Sequence, residues 1–198
     1  IVFITLGSFA PSIVALFITW RYAGGTALRQ LLGRVLVWRI SPAWYALAIV
    51  SPAIVMLLAI SGHILLGGTM PDYAPFGARW LVVPVNLVLV FLIGGPLGEE
   101  FGWRGYLLQK LLPQGTRRAI LILGVIVGIW HWPVIALGHN YGMNYQGFPV
   151  LGMLAMVWFS IGLSCFLSWA VLRAHSVWPA VIGHAVLNGV GGIGMLFA

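Results

Sequence analysis

Residues 93–112 read IGGPLGEEFGWRGYLLQKLL, and the placement of Glu99 and Glu100 in that stretch decides how the whole chain is read. They are two of only three acidic residues in 198, Asp72 being the third, and apolar runs lie on both sides of them. A carboxylate near the centre of a membrane helix costs roughly 2.5–3.5 kcal/mol on insertion scales, so an adjacent pair at that depth points to a function. Arg104 follows Glu100 by four residues. On a helix the two share a face, and Arg104 can hold the Glu100 carboxylate ionised. Glu99 is turned about 100° away and is left to face something else.

Outward from this stretch the chain is strongly apolar. It is 61% hydrophobic and 7% charged, with a mean hydropathy of +1.03. That composition excludes an ordinary soluble domain. Crossing a hydrocarbon core of ~30 Å takes about 20 apolar residues. Long apolar runs cover 2–20, 42–66, 119–137, 148–172 and 176–197, with a shorter one at 80–93. The expected fold is all-α, a polytopic transmembrane helical bundle of about six to seven membrane helices.

The segment 97–112 is only about 24 Å long as a helix, and Gly94-Gly95-Pro96 breaks the chain before it. We therefore expect it to be re-entrant or tilted. Under that reading Arg21, Arg29, Arg34, Arg39, Lys110, Arg117, Arg118 and Arg173 all fall on one side, with only Arg79 opposite. The positive-inside rule makes that side the cytoplasm, and the chain a multi-pass protein of the cell membrane. The same bias accounts for a net charge of +7 and a pI near 10.4 without nucleic acid as a partner. With no repeat or linker, residues 1–198 read as a single membrane domain. It opens on Ile1 in apolar sequence, so an N-terminal portion is expected to be missing. Gly124 and Gly128, four apart, offer a small-residue face for close helix approach. Cys165 is the lone cysteine and reads as a small packing residue.

Two further elements carry chemistry. His131 lies in the run Trp130-His131-Trp132-Pro133, and His184 and Asn188 sit one turn apart on a common helical face. Counted at ~1.5 Å per residue from the basic ends, His131 lies about 18 Å deep and His184 about 12 Å deep, a depth that a re-entrant Glu99 can reach. A carboxylate with a histidine can take a proton from water. An imidazole N–H and an amide can stabilise a tetrahedral oxyanion. Plainer readings compete at each position: a structural ion pair for Glu100 and Arg104, an interfacial histidine at His131, and an interhelical hydrogen-bond pair for His184 and Asn188. His63, His139 and His175, at span ends or in loops, read as interfacial. Ser164 lacks the flanking glycine of a rhomboid-like site, and a lone Asp72 excludes two-aspartate chemistry.

Glu-Glu-x3-Arg at 99–104, a histidine in an aromatic-rich helix at 131 and His-x3-Asn at 184–188, in this order, resemble the CAAX protease and bacteriocin-processing family. These are intramembrane endopeptidases related to the type II CAAX prenyl proteases, often described as Abi proteins. The run Ser176-Val177-Trp178-Pro179-Ala180 also looks like the family, and the resemblance makes 80–198 a family-like catalytic core. Val127 departs from it, standing where the family usually has Phe four residues before the histidine; we expect altered packing there and intact chemistry.

The resemblance implies that Glu99 and His131 activate the attacking water, that His184 and Asn188 bind the oxyanion, and that Glu100 with Arg104 holds the architecture. The family has been described both as metal-dependent and as glutamate-type. No dense ligand spacing such as His-Glu-x-x-His occurs here, so no cofactor is expected, with zinc as the alternative. The implied partner is a membrane-associated peptide or protein substrate within the lipid bilayer. The compact, Gly- and Trp-rich chain points to a bacterial source, where prenylated substrates are not expected. A non-catalytic membrane immunity or binding protein with a vestigial site is the alternative function, and a proton-coupled transporter a more distant one.

Overall fold

The computed structural model describes residues 2–69, 82–93 and 95–191. Asp72, Arg79, Gly94 and the far end of the last expected span, 192–197, lie outside the described residues. Among the described residues every regular element is helical: α1 Val2–Gly33, α2 Pro42–Leu65, α3 Val82–Ile93, α4 Pro96–Glu100, α5 Leu108–Leu111, α6 Thr116–Trp130, α7 Trp132–Ile135, α8 Val150–Ala174 and α9 Trp178–Gly191. Short 3-10 turns cover Arg34–Leu36 and Leu112–Gln114, and a π-helical turn covers Phe101–Leu107.

Four stretches among the described residues are long and apolar enough to cross a membrane: Pro42–Leu65, Pro84–Gln114, Thr116–Ile135 and Val150–Ala174. Their outer faces carry exposed apolar side chains, including Ile54, Leu57 and Leu58 on α2 and Leu151, Leu154 and Trp158 on α8. Such a surface suits hydrocarbon, where each helix satisfies its own backbone. The glutamate segment continues from α3 in the 31-residue stretch Pro84–Gln114. Gly95, with a φ of 101°, interrupts that stretch between α3 and α4.

Two expectations change. The helix expected over 2–20 extends further: α1 kinks at Gly24 (φ 80°, ψ 179°) and resumes to Gly33. Glycine alone adopts that φ without strain, so the helix bends where it would otherwise end. Cys165 is exposed on α8 and packs no interior in this chain.

Glycines set the helix spacing. A Cβ at Gly124 would lie 2.6 Å from Ile161 Cα, and one at Gly128 would lie 2.5 Å from Val157 Cα, so α6 and α8 meet backbone to backbone as their spacing predicts. Ser164, fully buried in this seam, donates its hydroxyl to the Ile120 carbonyl at 3.2 Å. That gives it a structural role. α9 is central and packs against α2, α3, α4 and α8. Its start is pinned by Trp178, whose indole N–H donates to the Val35 carbonyl at 2.8 Å and whose ring stacks on Phe91.

Candidate active site

The site begins at Gly95, whose φ of 101° turns the chain into Pro96, the first residue of α4. A Cβ at Gly95 would lie 2.8 Å from Glu99 Oε1 and from Ser8 Oγ, so glycine leaves room for that carboxylate. Past Glu100 the helix widens into i→i+5 turns, as where the Leu108 N–H bonds the Trp103 carbonyl. Such turns are rare and recur at functional sites. α1 closes over this segment. Ser12 donates its hydroxyl to the Gly98 carbonyl, and a Cβ at Gly102 would lie 2.4 Å from the Pro11 carbonyl carbon.

The charged residues are buried here. Glu99 is 6% exposed, Glu100 0%, Arg104 1% and His184 7%. Arg104 Nη1 lies 2.7 Å from Glu100 Oε1, the i,i+4 pair that the spacing predicts. The same oxygen lies 2.8 Å from His184 Nδ1 on α9. One carboxylate oxygen thus joins a guanidinium and an imidazole from two helices. Unpaired buried charge is costly, and mutual neutralisation with hydrogen bonds is what makes this cluster tolerable. Glu99 Oε2, Glu100 Oε2 and Arg104 Nε and Nη2 are buried without a hydrogen-bond partner among the described residues.

The histidines differ in what holds them. A carboxylate only accepts, so His184 carries its proton on Nδ1 toward Glu100 and turns Nε2 to the remaining space. His131 ends α6, and its Nδ1 lies 2.8 Å from the Val127 carbonyl oxygen. A carbonyl also only accepts, so the neutral His131 keeps its lone pair on Nε2, the form a base needs. The contact uses the main chain of Val127, so the departure from Phe there leaves it intact. Flanking aromatics fix the turn: Trp130 meets Trp103 edge-on at 5.8 Å, and the Trp132 indole N–H donates to the Met153 carbonyl at 3.2 Å.

The six candidates are not equally joined. Glu100, Arg104 and His184 are in direct contact, and the charge of Glu99 acts on His184. Among the described residues no hydrogen bond joins His131 to a carboxylate. Asn188 is exposed, one turn beyond His184 on α9. His139, read from the sequence as interfacial, belongs to the same electrostatic neighbourhood. Partial burial lowers its pKa, the His131 charge adds to that, and Glu99 opposes it. Its distance of eight residues from His131, across α7, carries no sequence signal.

Zinc sites use three or four converging N, S or O ligands. Among the described residues no three His, Cys, Asp or Glu side chains form such a group, and the inner oxygen of Glu100 is already engaged by Arg104 and His184.

A family model described as type II CAAX prenyl endopeptidase Rce1-like matches residues 79–190, a range that holds all six candidate residues. A protein named CAAX prenyl protease 2 from Methanococcus maripaludis is 28% identical over 145 residues, covering 68% of this chain and 50% of that protein. The chain therefore spans about half the length of that relative. No solved structure matches it.

Proposed function

The chain belongs to the Rce1-like family of type II CAAX prenyl endopeptidases, and from that premise we propose that it is an intramembrane endopeptidase. It hydrolyses a peptide bond in a membrane-associated peptide or protein. The observation that carries this reading is the buried Glu100 oxygen shared by Arg104 and His184, beside a second buried carboxylate at Glu99. Two adjacent carboxylates in different surroundings divide naturally into a structural and a chemical one.

Glu100 and Arg104 position His184. Glu99 and His131 take a proton from water, whose oxygen then attacks the scissile carbonyl carbon. The electron pair moves to the carbonyl oxygen, where His184 and Asn188 donate hydrogen bonds to the oxyanion. Collapse breaks the C–N bond, and the abstracted proton goes to the leaving amine. No metal enters these steps. The side rich in Arg and Lys is the cytoplasmic one, and the site opens toward it in the cell membrane.

Substrate trapping tests the reading. Membranes carrying Glu99→Gln should accumulate an uncleaved protein that co-purifies with the variant and is absent from wild-type pull-downs, as read by membrane proteomics. Undiminished cleavage of that protein by Glu99→Ala would refute the assignment.

A further inference from the structure

A separate cavity of about 200 Å³ lies between α1 and the far end of the glutamate segment. Thr19 and Gln30 of α1, Arg34 of the following 3-10 turn, Tyr106 of the π-turn and Gln109 and Lys110 of α5 line it. None of the six candidate catalytic residues does.

Among the described residues, two cations face this space without an acid. The carboxylates among the described residues are Glu99 and Glu100, and neither lines the cavity. Arg34 is fixed by donating from Nη1 to the Gly105 carbonyl, and Lys110 Nζ sits 5.7 Å from the centroid of the Tyr106 ring. These contacts hold the charges in place without neutralising them. Arg34 is an exposed residue, and partial burial of its guanidinium lowers its pKa. Thr19 adds an independent sign: it is 8% exposed, and its Oγ1 has no hydrogen-bond partner. Hydroxyl, guanidinium, ammonium and amide donors around one small space suit the oxygens of a phosphate group.

The setting selects the source of that phosphate. Arg34 and Lys110 are among the basic residues that the sequence assigns to one side of the membrane, and Ile18 and Leu31 make part of the wall apolar. A space of this size takes a headgroup and leaves acyl chains outside in the bilayer. Basic pockets between helices on that side of a membrane protein attract anionic lipid. We propose that this cavity binds the phosphate of an anionic phospholipid, with Arg34 and Lys110 neutralising it and Thr19 donating its hydroxyl. The inference does not depend on the protease reading.

The test uses the purified full chain in detergent, offered phosphatidylglycerol or phosphatidylcholine, with bound lipid counted by native mass spectrometry. Phosphatidylglycerol should be retained and phosphatidylcholine lost. Lys110→Gln, a change at an exposed side chain, and Arg34→Gln should each weaken retention roughly fivefold, the effect of one cation at an anionic surface. Thr19→Val should weaken it at nearly constant shape, whereas Arg118→Gln, on the same basic side but outside the cavity, should leave it unchanged. Equal retention of both lipids, or an equal loss in Arg118→Gln, would overturn the proposal. Binding of inorganic phosphate with no retention of phosphatidylglycerol would also overturn it, assigning the cavity to a soluble anion.

Discussion

Glu100 Oε1 and His184 Nδ1 lie 2.8 Å apart although 84 positions separate the two residues in the chain. The contact joins the end of α4 to α9 and makes the imidazole a fixed feature of the glutamate segment. Glu99, the neighbouring residue, does not share that bond.

The two glutamates should therefore fail in different ways. Glu99→Ala should lower cleavage by about 10²–10⁴-fold, the range for a lost acid–base group, with little change in thermal stability. A parallel melting curve in detergent checks the second half of that statement. A large loss of stability would assign Glu99 to the architecture.

Glu100→Ala should chiefly destabilise. It strands Arg104, which is 1% exposed, without its partner. Breaking a buried pair by removing one member costs about 3–5 kcal/mol. Replacing both, as Glu100→Leu with Arg104→Met, should cost less than the two single changes combined. A double-mutant cycle on melting measures the difference.

The pH profile tests the role of His184. With Nδ1–H committed to Glu100, the ring offers an Nε2–H to an oxyanion only when it carries both protons. An oxyanion role thus predicts a fall in kcat as pH rises through the titration of His184. His184→Gln, which keeps an amide donor, should be slow and should lack that limb. An unchanged limb in the variant would move the titration to another group.

Chelation bears on the donor set. Since no three candidate ligands converge among the described residues, activity should survive exhaustive treatment with a zinc chelator. Complete loss restored by zinc alone would show that the side chains rearrange around a metal.

Gly102 should tolerate almost nothing. With Pro11 backbone 2.4 Å from a would-be Cβ, Gly102→Val forces α1 away from the glutamate segment. Overpacking of this kind costs about 1–3 kcal/mol, and because the nearest atom is backbone we expect the upper part of that range. The melting temperature of the variant gives the answer.

Continuous apolar runs made α2, α6 and α8 legible, with α2 observed at Pro42–Leu65 against an expected 42–66. Spacing made the Glu100–Arg104 pair and the Gly124–Gly128 seam legible, since both follow from helix geometry alone. The second half of α1 was hidden because arginines and paired glycines look alike in a bent helix and a loop. The π-turn was hidden because i→i+5 bonding imposes no recognisable period over seven residues. Nor does local sequence say which carboxylate α9 will meet. The link from Glu100 to His184 arises only when distant helices pack.

α1 and α2 lie outside residues 79–190, yet α1 rests against bare backbone at Gly98 and Gly102 and α2 is a main neighbour of α9. The range matched by the family model and the set of helices that holds the site together thus have different borders in this chain. The helices that precede residue 79 roof the charged cluster and buttress the helix that bears His184, so the geometry of the site depends on a contour supplied from outside the matched range.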